Sequence, residues 1–379
     1  MPIGSQNSQL RDKKDHFVVT LYKTFREKLE IRSSSILLLN VNGHELIKIP
    51  NKDYHVTIPK KLITNNANKI SLKIIKIYDV KKAKLRDNKL FFGNCANIEA
   101  FVPNKTLFGN DIFVLNNGVY SYIWYNISGG AKHIKIKNKF NAERLAELIG
   151  FYFGDGNTSL NIRSFRLNNC EPSTLNYCLD ILEELGVPRK TIKLQIIYST
   201  PKDKISDILK EKCINYWSRI LNINNQQIVS VNRSYGKTES LEHGSARIFF
   251  DNAVFVEVLL NGILKKFIEI IKNPKTKIEK KLLEGFLRGL AAAEGSVTLT
   301  KLNSLSRIGL AYNPHSADLI FYKKILENLG IKVGNIHGNE LLIYGINNFR
   351  LLKDINLFKM HHARREKFLK GYIHHRFSH

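Results

Sequence analysis

The chain has 379 residues, 43% of them hydrophobic, with 59 Lys plus Arg against 33 Asp plus Glu, giving a formal net charge of +26. A core-forming chain this basic suits a polyanionic partner, because such charge steers association with nucleic acid and makes affinity fall with salt; ribosomal and membrane-surface proteins share the trait. No apolar run approaches the roughly 20 residues that span a bilayer, and residues 1–15 lack the apolar segment of a secretory signal. The four cysteines, Cys95, Cys170, Cys178 and Cys213, show no CxxC spacing and no paired histidines nearby. That argues against structural zinc and a disulfide framework, and for a cytoplasmic protein.

In chain order, residues 1–138 read as a β-rich N-terminal domain. Short β-branched or aromatic runs at 17–21, 36–39, 55–58, 70–75 and 112–115 are bounded by turn signals such as Asn42-Gly43 and Asn117-Gly118. The segment 56–62, VTIPKKL, is similar to swapped-hairpin DNA-binding regulators, although a strand followed by a capped turn explains it as well. This domain is an additional DNA-contact module or a structural one. A basic connector follows at 132–139, whose alternation places Lys135, Lys137 and Lys139 on one face if extended. Such a face suits phosphate tracking or a solvated edge strand.

Next come two stretches that end alike. Ala146, Gly150 and Gly154 lead into Asp155-Gly156, and Gly285, Gly289 and Ala293 lead into Glu294-Gly295. Small residues at every fourth position fall on one helical stripe and let two backbones approach closely. If the stripes pack together, the C-terminal ends of the helices deliver Asp155 and Glu294 side by side. A helix C-terminus carries partial negative charge, which disfavours paired carboxylates unless a cation sits between them. The chain therefore proposes a paired-carboxylate metal site on a pseudo-two-fold axis.

The patterning after each acid is also repeated. The first copy continues with β-compatible residues at 161–168, an amphipathic helix at 173–186 and a strand at 191–198. The second continues with strands at 296–300 and 307–312, a helix at 316–330, strands at 331–336 and 341–344 and a helix at 347–353. The first helix of each copy ends alike, LEELGV against LENLGI. A duplication with a period of about 140 residues implies an α+β fold of two αββαββα repeats, at 139–278 and 279–379.

Residues 148–156, LIGFYFGDG, and 287–295, LRGLAAAEG, resemble the two signature motifs of single-chain LAGLIDADG homing endonucleases, with Phe286 preceding the second as is usual there. The resemblance covers 141–379. Both copies depart where that family commonly has a non-catalytic Asp, here Phe153 and Ala292; Glu at the second acid is tolerated. The resemblance implies two sheets forming a saddle that lies in the DNA major groove. Contacts then fall to Asn161, Arg163, Arg166, Asn168, Lys193 and Gln195 in the first lobe, and to Thr298, Thr300, Lys301 and Arg307 in the second. Arg would read guanine, and Asn or Gln adenine. It further implies Mg²⁺ or Mn²⁺ at Asp155 and Glu294, with backbone carbonyls near Gly154 and Ala293 completing the shell.

One basic residue per lobe is expected near the attacking water. Lys266 is the match in the first, although the usual Pro after Ile268 is Glu269, and Lys359 in the second. Glu171 and His315 stand nearest the water-orienting positions. The basic stretch 361–367 is expected at the DNA rim; its adjacent His361 and His362 point to different helix faces and lack a third ligand. The chain begins with Met1 and ends Phe377-Ser378-His379, without the splicing residues of an intein, so a free-standing or intron-encoded protein is expected. The implied activity is that of a monomeric, metal-dependent endonuclease making a double-strand break at a long asymmetric DNA target. The alternatives are a catalytically silent DNA-binding regulator or a maturase acting on structured intron RNA, on the same fold. A third is a basic RNA-binding scaffold whose motif helices are only core.

Overall fold

The computed structural model describes residues 2–13, 16–32, 35–63, 69–79, 87–125, 132–156, 164–236, 238, 240, 243–313, 318–334 and 336–377. The chain is mixed α+β and divides into two compact units. One is Met1–Asn88 with Pro103–Lys135, the other Lys89–Val102 with Ile136–His379. Among the described residues no helix is long and apolar enough to cross a membrane.

The first unit is built on strands. Its largest sheet runs in the order Gly4–Gln9, Lys69–Asp79, Ser35–Val41, His44–Lys48. The last two strands form a hairpin over Asn42 and Gly43, at φ 50° and 85°. Positive φ at both turn residues matches the twist of the flanking strands, which is why Asn-Gly marks such turns. Ser35–Val41 is apolar on both faces. Leu37, Leu39 and Val41 pack with Val56, Ile58, Leu72 and Ile74, while Ile36 and Leu38 pack with Phe113, Leu115, Tyr122 and Trp124. All five runs expected in 1–138 are strands. The VTIPKKL segment is the strand His55–Pro59 followed by a short 3₁₀ turn, Lys60–Leu62. The strand Gly4–Gln9, GSQNSQ, has no apolar pattern and is held by its register against Lys69–Asp79. In Lys132–Lys137, Ile134 and Ile136 are buried and Lys135 and Lys137 half-exposed, as the alternation requires.

The second unit holds both motif helices, Ala142–Asp155 and Lys277–Glu294. Asn141 and Thr276 cap their N-termini by accepting from Arg144 N and Glu279 N. The contacts climb together: Gly285 meets Glu143 and Ala146, Gly289 meets Glu147 and Phe151, and Gly154 meets Ala293 and Glu294. The helices therefore run parallel, and their C-terminal ends coincide. A methyl group on Gly150 would lie 2.0 Å from the Phe286 carbonyl oxygen, so only glycine permits this approach. Phe153, at one departure from the signature motif, packs at an angle against Phe286 and edge-on against Phe321, with ring centroids 5.6 and 5.5 Å away. An Asp there would sit in an aromatic cluster.

Each motif helix leads to a sheet. In the first, Phe165–Asn169 pairs with Ser245–Phe250, which pairs with Lys193–Thr200; in the second, Leu305–Ala311 pairs with Glu340–Ile343, which pairs with Ile336–His337. The strand order is thus the same. Gly156 bridges Leu167 just as Gly295 pairs with Leu310. The first sheet carries an addition not read from sequence: helix Asp207–Leu221 and strand Ile228–Tyr235, which joins the edge parallel to Lys193–Thr200. By sequence, residues 89–102 group with the N-terminal domain. In the structure Cys95–Asn97 pairs with Lys139–Asn141, and Ala142 N donates to Asn94 O at 2.9 Å, which ties them to the second unit.

Candidate metal and nucleic-acid site

Asp155 and Glu294 are the last residues of the two motif helices. A methyl group on Gly154 would lie 2.5 Å from Ala293 Cβ and 3.1 Å from Glu294 Cγ, so the Glu294 side chain packs over the residue preceding Asp155. Asn169 Nδ2 donates to Asp155 Oδ2 at 2.8 Å. Burial pushes the Asp155 carboxyl above its usual range, against the hydrogen bond from Asn169 and the charge of Arg364. Burial and then the charge of Asp155 push Glu294 up, and Arg364 opposes both. A carboxylate pair in this state favours a cation at its mouth. The oxygen donors fit a hard divalent ion, which uses one or two carboxylates with waters and substrate phosphate. Among the described residues no group of three or more His, Cys, Asp or Glu stands where side chains alone would hold a metal.

Arg364 has no signature in the motif spacing. It sits near the start of helix His362–Phe377, and its Nη1 donates to the carbonyls of Ala291, Ala292 and Ala293 at 3.0, 2.7 and 3.4 Å. The Ala293 carbonyl, an expected metal ligand, is therefore shared with a guanidinium. Part of the stretch expected at the DNA rim turns inward, and His361 beside it is buried, with its pKa pushed down to about 4 by that burial and by Arg364.

The two expected lysines are hydrogen-bonded to groups other than Asp155 and Glu294. Lys266 Nζ donates to the Ala100 carbonyl and lies over the Phe101 ring. Lys359 Nζ is 3.0 Å from Glu147 Oε1. Glu147 precedes Asp155 by about two helical turns, some 12 Å at 1.5 Å per residue. Lys359 thus joins a buried network in which Arg288 Nε meets Glu147 Oε1 at 2.7 Å and Tyr177 Oη donates to Glu147 Oε2 at 2.5 Å. Glu171 accepts from Ser173 Oγ at 2.7 Å and lies within electrostatic reach of Arg364. His315 lies outside the described residues.

The first sheet collects its polar residues on one face. Strand register aligns Asn168, Arg247, Gln195 and Ser230 in one row, and Arg166, Phe249 and Lys193 in the next. Arg247 Nη1 donates to Gln195 Oε1 and Gln195 Nε2 to Ser230 Oγ, both at 3.3 Å. Lys193 is paired with Asp251 at 2.9 Å. Leu167, Leu194, Ile196, Ala246 and Ile248 form the buried opposite face. The signal for Arg247 in the sequence is the alternation of SARIFF, with Ala246 and Ile248 inward. Asn161 and Arg163 lie outside the described residues.

In the second sheet Thr298 lies opposite Arg307. Thr300 and Lys301 fall in the connecting turn, where Thr300 Oγ1 accepts from Ser304 N at 3.2 Å. This face also carries an acid, Glu340, which accepts from Ser296 Oγ at 2.6 Å. Lys135 belongs to the first unit and is paired with Glu45 at 2.8 Å, whereas Lys137 belongs to the second.

No protein-family model and no curated protein sequence matches the chain. Solved structures do. The N-terminal LAGLIDADG domain of DUF199/WhiA aligns at 14% identity with a TM-score of 0.33, over 57% of this chain and 83% of that one. Full-length DUF199/WhiA from Thermatoga maritima aligns at 14% and 0.35, over 60% of this chain and 59% of that one. The I-SmaMI LAGLIDADG homing endonuclease bound to cleaved DNA aligns at 8% and 0.29, over 59% of this chain and 86% of that one.

Proposed function

We propose that this chain is a site-specific DNA endonuclease of the LAGLIDADG homing type, gripping double-stranded DNA with its two sheet faces and breaking both strands. The observation that supports it is the parallel glycine seam that ends in Asp155 and Glu294. A protein that only binds has no need of two half-buried carboxylates at one point. Mg²⁺ or Mn²⁺ held there would neutralise the scissile phosphate and make an attacking hydroxide available near neutral pH. Asn169 orients the Asp155 carboxylate, and the seam fixes its distance from Glu294. The two lobes are related by the pseudo-two-fold of the seam but differ in face chemistry, so a monomer reads an asymmetric site. Arg and Asn dominate the first face, Thr, Ser and Glu340 the second.

A second reading has its own support. Lys266 and Lys359 are bonded to other acceptors, the Ala100 carbonyl and Glu147, which favours a DNA-binding regulator that has kept the fold without the cutting chemistry. A supercoiled plasmid library of candidate sites, incubated with and without Mg²⁺, separates the two. Linear product that falls at least about 100-fold in Asp155→Asn and in Glu294→Gln, with duplex binding retained, supports the enzyme. Duplex binding without cleavage at any divalent-ion concentration supports the regulator, and binding confined to intron RNA would defeat both. Arg247→Ala is expected to weaken duplex affinity by about 1–3 kcal/mol, read by fluorescence anisotropy on a 40-mer at fixed salt. An unchanged affinity would remove the first sheet from the interface.

A further inference from the structure

We infer that Arg364 is the resident counter-cation of the carboxylate pair, holding Asp155 and Glu294 together without a divalent ion and yielding the Ala293 carbonyl when one binds. The inference rests on the paired-carboxylate reading of the site. Two parallel helices that end at one point bring the partial negative charge of both termini, and two carboxylates, into the same small volume. Left uncompensated, that charge would splay the seam at its tip.

Arg364 is built to prevent this. One nitrogen of its guanidinium serves the last three carbonyls before Glu294, and Asp155, Glu294 and Glu171 all lie within its electrostatic reach. Its backbone is fixed as well. Thr174 Oγ1 donates to the Met360 carbonyl at 3.0 Å, His362 N donates to Ser173 Oγ at 3.1 Å, and Arg364 N donates to His361 Nδ1 at 3.3 Å. The segment 360–364 is thus pinned to the first-lobe helix Pro172–Leu185 while its arginine grips the end of the second-lobe motif helix. It bridges the lobes where the acids meet, and a planar fork of five donors suits a site with both carbonyl and carboxylate acceptors.

A thermodynamic cycle in EDTA tests the charge coupling without any metal. Arg364→Gln is expected to lower the folding equilibrium constant at least about tenfold in the native background, and less than about threefold where Glu294→Gln is already present. Equal losses in both backgrounds would reduce Arg364 to a carbonyl cap and overturn the inference. Arg364→Lys, keeping charge without the fork, retains most of the coupling and covers the case in which Arg364→Gln does not fold. Mn²⁺ binding followed by electron paramagnetic resonance supplies the second arm: Arg364→Gln is expected to bind Mn²⁺ at least about fivefold tighter than the native chain, a coupling of about 1 kcal/mol, and equal affinity would overturn the yielding step. An intact cycle with no Mn²⁺ bound by either protein would uphold the counter-cation and defeat the metal reading instead.

Discussion

Gly289→Val is expected to unfold the second unit or to cost it more than about 3 kcal/mol, because the added atoms have nowhere to go. A methyl group on Gly289 would lie 2.0 Å from the Glu147 carbonyl oxygen and 2.5 Å from Phe151 N. Both obstacles are backbone, so no rotamer change relieves the clash, and overpacking alone typically costs about 1–3 kcal/mol before any ladder is broken. The helices must part, which also separates Asp155 from Glu294. Urea denaturation followed by circular dichroism measures the first effect, and loss of the coupling between Arg364 and Glu294 in the surviving fold measures the second. Native stability in Gly289→Ala would show that the seam is not packed at this distance.

Glu147→Leu is expected to cost about 3–5 kcal/mol, the usual penalty for breaking a buried ion pair from one side. The Glu147 side chain is 0% exposed and that of Arg288 4%. Removal leaves Arg288 with Glu143 and the Ile355 carbonyl, and strips Lys359 and Tyr177 of a shared acceptor. The double variant Glu147→Met with Arg288→Met should recover most of the loss, since apolar replacement of a whole buried pair is often neutral. Equilibrium denaturation of the two variants beside the native chain decides it. A near-neutral single variant would mean that the network is hydrated and adds nothing to the seam.

Gly289 and Glu147 differ in how far the chain itself announces them. Gly289 was visible in the chain because the spacing of small residues is a local property: a helix advances 3.6 residues per turn, and the stripe can be drawn without knowing its partner. The partner was legible too, since a second stripe of the same kind follows. Glu147 and Arg288 read as ordinary helical charges. They meet across the seam only because the register of the two helices sets Glu147 against Gly289 and so beside Arg288, and that register is tertiary.

The sequence alone determined five strands of the first unit, the Asn42-Gly43 turn, the two motif helices with an acid at each tip, and the repeated pattern after them. These follow from short-range rules: alternation of two, a turn of 3.6, positive φ at a turn. Only the tertiary structure decided where the long cationic side chains end. Lys266 went to a carbonyl in residues 89–102, Lys359 to a buried glutamate two turns from the acids, and Arg364 to the last three carbonyls before Glu294. A flexible stem can reach several acceptors, and the one it meets is set by segments distant in the chain. The fold brings those segments together, and no local periodicity announces them.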